Sequence, residues 1–126
     1  MKVLDTCVWI EATLATATGK RYESLLSDAT QLVVPTLVYY ELRRWALREY
    51  SVRYADQLQA GLQAFTVAPL DAIVALHAAD LADEFKLSTA DALIYATALR
   101  HDAELVTCDA HFKGLPSVEY SPKIEA

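Results

Sequence analysis

Four carboxylates stand out because each follows or opens a structural element: Asp5, Glu41, Asp91 and Asp109. Asp5 comes directly after the short apolar run Lys2-Val3-Leu4. Asp109 comes two residues after Thr107, at the end of Glu104-Leu105-Val106-Thr107. Asp91 stands three residues after Ser88, at the start of a very apolar stretch. Glu41 is flanked by Leu42 and, one helical turn away, by Leu37, Val38 and Trp45, at the border of an apolar stripe where an unpaired charge is expensive. Each acid also has a plain structural explanation. Asp5 or Thr6 can N-cap a helix, and Ser88 to Asp91 matches a capping box in its Asp form. Asp109 can cap the short segment after it, and Glu41 can pair on the surface with Arg44. The joint pattern has no such single explanation. Carboxylates gathered on one edge of a sheet repel strongly, because interior screening is weak. They would take up protons or a hard cation such as Mg2+ or Mn2+. Such an ion polarises phosphoryl oxygens and ionises water near neutral pH, which is the equipment for phosphodiester hydrolysis.

Those positions depend on the elements around them. The spacing predicts a buried strand over 2–4 and a helix over about 8–14, then a break at 16–20 containing Gly19. Residues 21–27 read as helical. A second buried strand covers 31–34 and is stopped by Pro35, with Thr36 as N-cap of a helix to about residue 50. A further helix over 52–65 completes a hairpin rich in Tyr, Leu and Trp, the natural groove for a partner helix. Residues 66–68 form a short third strand. Asp71 caps a helix to about residue 85 with Ile73, Leu76, Ala79 and Leu81 as its apolar stripe. Ser88 caps a deeply placed helix to about residue 100. Residues 104–107 are the fourth strand, 110–113 a turn or helical stub, 118–120 an edge strand, and the tail after Ser121 is expected to fray. Strands alternating with helices imply parallel βαβ units and an α/β/α sandwich. A strand so near the start, without polar alternation, suits the middle of the sheet. Ligands of such sheets collect at the carboxyl ends of the strands, where Asp5 stands.

The length of 126 residues fits one domain over 1–126. With 54% hydrophobic and 22% charged residues the chain reads as globular. No apolar run approaches membrane-spanning length and no secretory signal is legible, so a cytoplasmic protein is expected. The net charge of −6 argues against coating nucleic acid by bulk charge. It leaves room for an acidic site that a metal neutralises. Arg43, Arg44 and Arg48 share the helix of Glu41 and form a solvated face, with contact to the phosphates of a bound substrate as a second expected role. Cys7 and Cys108 fit neither a zinc spacing nor a redox CxxC pair and read as small buried thiols. His77, His101 and His111 lie on different elements, so a ribonuclease working by paired histidines is disfavoured. His101 and His111 read as surface or helix-end residues.

Four stretches in order carry a resemblance: Val3-Leu4-Asp5-Thr6; Pro35-Thr36 with Glu41-Leu42; Ser88-Thr89-Ala90-Asp91 running on to Ala98; and Leu105-Val106-Thr107-Cys108-Asp109 with Phe112. Together they resemble the PIN-domain ribonucleases, and among them the VapC toxins of toxin–antitoxin pairs. The fold implied is a PIN-like three-layer α/β/α sandwich with a mostly parallel four- to five-stranded sheet. By the resemblance, Asp5, Glu41, Asp91 and Asp109 form a catalytic metal site for Mg2+ or Mn2+. Asp5 and Asp91 are the most direct ligands, and Thr6 and Thr107 are the supporting hydroxyls. Cys108 stands where many relatives carry a polar or basic residue, so a local substrate contact is expected to be missing. The activity implied is a metal-dependent endoribonuclease that stops translation by cutting tRNA, rRNA or mRNA. The partners implied are a second copy in a homodimer and a small VapB-like antitoxin, with operator DNA met only through the antitoxin complex. Two other readings stay open. One is a small-molecule phosphohydrolase with an aspartate nucleophile, which lacks a second aspartate two residues after Asp5. The other is a binding module that keeps the fold without turnover.

Overall fold

The computed structural model of the protein describes residues 1–125. Five strands are threaded between seven helices: β1 (Lys2–Leu4), α1 (Thr6–Thr13), α2 (Ala17–Lys20), α3 (Glu23–Leu26), β2 (Val33–Pro35), α4 (Thr36–Glu49), α5 (Val52–Leu62), β3 (Thr66–Ala68), α6 (Ala72–Phe85), α7 (Thr89–Arg100), β4 (Glu104–Thr107) and β5 (Val118–Tyr120). Single 3-10 turns occupy Ala29–Gln31 and Ala110–Phe112. Every strand pairing is parallel, as the intervening helices require. β1, β4 and β5 form one ladder and β2 and β3 another. A lone parallel bridge between Lys2 and Leu32 joins the two, so the strands run across as β3-β2-β1-β4-β5. β1 is therefore central and β5 is an edge, as expected.

The strongest local signals hold. The Asp71 carboxylate accepts from Val74 N–H at 2.9 Å and the Ser88 hydroxyl from Asp91 N–H at 3.2 Å, so both cap their helices. α7 is the buried helix: Ala92, Ile94, Tyr95, Ala96, Thr97 and Ala98 are all inside. Its small side chains let it pack closely on α6 and β4. Tyr95, fully buried, places its hydroxyl on the Pro116 carbonyl at 2.6 Å, which satisfies the polar end of an apolar ring.

Several expectations are corrected. Pro35 ends β2 rather than stopping it beforehand, because its backbone (φ −60°, ψ 143°) is extended and compatible with the proline ring. Pro35, not Thr36, occupies the N-cap of α4, with no side-chain bond. The Thr36 hydroxyl instead accepts from Leu70 N–H at 3.3 Å, tying α4 to the loop after β3. The apolar stripe of α6 is not Ile73 and Leu76, which are 57% and 71% exposed, but Val74, Ala78 and Leu81. The helix is apolar on two sides, and packing against α7 selects one of them. The tail is tied down instead of frayed. Ile124 N–H donates to the buried Thr18 hydroxyl at 2.7 Å, Arg21 donates to the Pro122 carbonyl at 2.8 Å, and Lys123 pairs with Glu11 at 3.5 Å. No helix among the described residues is long and apolar enough to cross a membrane.

Residues 17–20, expected as a break, are a helical turn capped by Thr16, whose hydroxyl accepts from Gly19 N–H at 3.0 Å. Gly19 is required there by close approach. A Cβ at this position would lie well inside van der Waals contact with the Glu11 carbonyl of α1. Gly61 in α5 faces open space. Urea denaturation is therefore expected to show Gly19→Ala destabilised by about 2 kcal/mol or more, and Gly61→Ala stabilised by about 0.5 kcal/mol. An unchanged midpoint for Gly19→Ala would mean that α2 slides freely over α1.

Candidate metal centre

The end of β1 sets the first carboxylate. Asp5 N–H continues the parallel ladder by donating to Val106 O at 2.9 Å. Its Oδ1 accepts from Thr6 N–H at 2.9 Å and so caps α1. Its Oδ2 accepts from the Thr107 hydroxyl at the end of β4, at 2.7 Å. The same Thr107 oxygen accepts from Asp109 N–H at 2.9 Å. One fully buried hydroxyl thus orders two of the acids. Asp109 then turns the chain into the 110–112 turn by accepting from His111 N–H at 2.9 Å. Asp91 arrives from the first turn of α7 and faces Asp109 and His111. The local roles are formed: Asp5 and Asp109 cap the segments that follow them, and Asp91 N–H is capped by the Ser88 hydroxyl.

Electrostatics link these three acids. Asp5 is 4% exposed. Burial pushes its carboxyl up to about 6, and the charge of Asp91 adds to this, while the Thr107 hydroxyl, Thr6 N–H and Cys7 thiol work against it. Asp91 is also raised, first by burial and then by Asp109, with Ser88 and His111 opposing. Glu41 joins through a hydrogen bond: its Oε1 accepts from the Thr6 hydroxyl at 2.7 Å, on the residue next to Asp5. Neither Glu41 nor Asp5 is part of the compact group of Asp91, Asp109 and His111, whose ligand atoms all lie within 4.8 Å of one another; Asp5 is tied to that group through the Thr107 hydroxyl and the charge of Asp91. The surface pairing of Glu41 with Arg44 is not formed; Arg44 bonds Tyr40 Oη at 3.3 Å instead. Arg44 and Arg48 nevertheless line the same open cleft of about 330 Å3 as Thr6 and Glu41. Arg43 turns to α5, pairing with Asp56 at 3.0 Å and Gln59 at 3.1 Å.

The donor set is made of carboxylate oxygens with adjacent hydroxyls, and it fits a hard divalent cation. His111 is the surface, helix-end residue that its sequence position suggests. It is exposed, but its Nδ1 lies 3.1 Å from Asp109 Oδ1 and 3.7 Å from Asp91 Oδ2. The signal that could have found it is the Asp-x-His spacing at a tight turn. Cys108 is buried in the hydrophobic core. Cys7 and Cys108 are free thiols, and Cys7 Sγ lies 3.6 Å from both Asp5 Oδ2 and Thr107 Oγ1.

A stability consequence follows. Asp5 binds its proton more tightly in the fold than its usual 3.8, so its favourable contribution is complete below pH 3.8 and is lost as pH rises through about 6. Relative to that acid limit, the metal-free protein has lost on the order of 3 kcal/mol from this group at higher pH. Asp5→Asn is expected to be more stable than wild type in EDTA at pH 7.5, by about 1–3 kcal/mol, with the gap closing toward pH 4. A less stable variant at pH 7.5 would mean that the bonds from Thr107 and Thr6 outweigh burial.

Comparison with known proteins bears on the whole chain. The family model for the PIN domain matches residues 2–117. The fold is similar to a toxin–antitoxin complex from Klebsiella pneumoniae, with a TM-score of 0.82 and 23% identity over 94% of this chain and 96% of that one. FitAcB from Neisseria gonorrhoeae gives a TM-score of 0.74 and 24% identity over 95% and 96% of the two chains. DNA-bound VapBC from Salmonella typhimurium gives 0.74 and 16% identity over 97% and 98%. No curated protein matches the chain. At these identities the structural likeness is one of fold, and the match of the family model over nearly the whole length decides membership. The chain belongs to the PIN domain family.

Proposed function

We propose that this chain is a metal-dependent endoribonuclease toxin of the VapC type, acting in the cytoplasm on tRNA, rRNA or mRNA to inhibit translation. The observation that carries this reading is the buried Asp5 carboxylate. It is held by Thr107 and Thr6 N–H, and both its burial and the neighbouring Asp91 disfavour its charge. A group arranged this way weakens the bare fold, and a divalent cation among Asp5, Asp91 and Asp109 turns the repulsion into attraction. Membership of the PIN domain family supports the same reading.

In this reading Asp5 and Asp91 hold Mg2+ or Mn2+ most directly, and Glu41 and Asp109 complete the site. The ion, when bound, supplies Lewis-acid polarisation of the phosphoryl group and a water of lowered pKa. The chain's own part is positional. Thr107 fixes the angle of Asp5 and the backbone of Asp109, and Thr6 fixes Glu41. Arg44 and Arg48, beside Glu41 in the cleft, meet RNA phosphates. Arg43 is engaged by Asp56 and Gln59 and is a lesser contact. The histidines sit on α6, after α7 and on the 110–112 turn, so no pair is built to activate a ribose hydroxyl. Water is then the nucleophile.

The partners follow the same reading. A cleft of about 250 Å3 between α1, α4 and α5 is lined by Trp9, Leu42, Leu58, Leu62 and Phe65, among others. It suits the apolar face of a VapB-like antitoxin helix. The active form is a homodimer. Operator DNA is met through the antitoxin complex, in keeping with a toxin whose own net charge is −6.

Purified protein is expected to cut total cellular RNA with Mg2+ or Mn2+ but not with EDTA, leaving 5′-phosphate and 3′-hydroxyl ends. Asp91→Asn should lose about 100-fold or more of this activity. Ends carrying 2′,3′-cyclic phosphate would overturn the mechanism, because they require attack by the ribose. Filter binding of RNA to the doubly reversed Arg44→Glu, Arg48→Glu protein is expected to be weaker, with the slope of log K against log salt shallower by about 1–2. An unchanged slope would remove both arginines from the RNA path.

A further inference from the structure

We propose that His111 is a nitrogen ligand of this metal centre and that its imidazole makes the site favour Mn2+ over Mg2+. The inference rests on the metal-centre reading above. The imidazole Nδ1 is 3.1 Å from Asp109 Oδ1 and 3.7 Å from Asp91 Oδ2. Ligands about 2.1 Å from an octahedral ion stand about 3 Å apart in neighbouring positions and about 4.2 Å apart when opposite. Both observed separations fall in that interval, so a small ion needs little rearrangement to be shared by the three side chains. The turn itself is fixed at both ends. His111 N–H is bonded to Asp109 Oδ1 at 2.9 Å, and the next residue, Phe112, is fully buried against Tyr95. The backbone under the imidazole is therefore anchored, while the ring, 78% exposed, has these two carboxylates as its charged contacts among the described residues.

Donor chemistry gives the consequence. Mg2+ prefers oxygen ligands and dehydrates reluctantly, whereas imidazole nitrogen favours transition-metal ions. A site of carboxylates alone discriminates weakly between Mg2+ and Mn2+, and one with a nitrogen donor tilts toward Mn2+. The competing account has His111 as an imidazolium that neutralises Asp91 and Asp109. It predicts no nitrogen contact to a bound ion and no change in metal preference when the ring is removed.

The test reads metal binding, independent of RNA cleavage. Calorimetry gives the Mn2+ and Mg2+ affinities of the full chain, and pulsed electron paramagnetic resonance of bound Mn2+ reports coupling to 14N. Wild type is expected to show the 14N coupling. His111→Ala should lose it, and the ratio of Mn2+ to Mg2+ affinity should fall about ten-fold or more. His111→Asp should keep metal binding through oxygen, with the same lowered ratio. Mn2+ bound to wild type without 14N coupling, or a ratio unchanged in both variants, overturns the proposal and leaves the metal centre standing. If wild type binds neither ion and behaves like Asp91→Asn, the metal centre itself fails, and this inference with it.

Discussion

Parallel pairing of β1 with β4 is the constraint on which the acidic edge depends. The register sets Leu4 opposite Val106, so the next residues, Asp5 and Thr107, meet at the strand ends. The Thr107 hydroxyl donates to Asp5 and accepts from Asp109 N–H, and it is shut away from water while doing so. A slip of one residue would turn Thr107 to the opposite face of the sheet. It would leave the Asp5 carboxylate buried without its strongest donor, and the backbone of Asp109 without its anchor. β4 is held from its other side by β5, and Lys2 reaches both Glu104 and Glu119, at 3.3 and 2.9 Å, across the three strands. Exposed pairs of this kind contribute little energy, so the register rests mainly on the buried apolar faces of β1 and β4.

Two helices begin at that same edge. Asp5 caps α1 and Asp91 lies in the first turn of α7. Helix N-termini favour negative charge by a few tenths to one kcal/mol, about an order of magnitude that softens but does not cancel the burial of these acids. Burial prevails in the balance, as the raised carboxyls of Asp5 and Asp91 indicate. The cost of burying charge is thus concentrated at this edge. The remainder of the fold is ordinary by comparison. Its core is apolar, five of its seven helices carry a side-chain N-cap, and its tail is strapped to α1 and α2 through Lys123, Arg21 and Thr18. Among the described residues the single buried side-chain polar atom without a partner is Trp9 Nε1, which lies in the hydrophobic groove next to Phe65.

Local signals settled a large part of this in advance. Asp71 and Ser88 are helix caps because a short polar side chain precedes an apolar run, and no tertiary contact was needed to read them. The apolar runs over 2–4 and 104–107 and the short stretch 118–120 read as strands, and their alternation with helices implies a parallel sheet. The candidate acids were legible as residues placed after strands and at helix starts. Glu41 was legible too, as a charge at the border of an apolar stripe, although only the structure supplied its partner, the Thr6 hydroxyl.

What the tertiary structure decided is what depends on distance between elements. α6 carries apolar residues on two faces, and nothing in its periodicity prefers Val74, Ala78 and Leu81 over Ile73 and Leu76 until α7 packs against one side. Gly19 reads as a breaker because glycine is flexible, but it is needed because α1 passes too close for a side chain. Arg43 and Arg44 are adjacent in sequence yet serve different clefts, since successive helical residues point about 100° apart. His111 joins the acids because a 3-10 turn folds it back over Asp109, a contact visible only once α7 has delivered Asp91 to the same place. Sequence determined which residues could do chemistry and which elements carry them; folding determined which of them meet, because meeting is a property of packing and not of spacing.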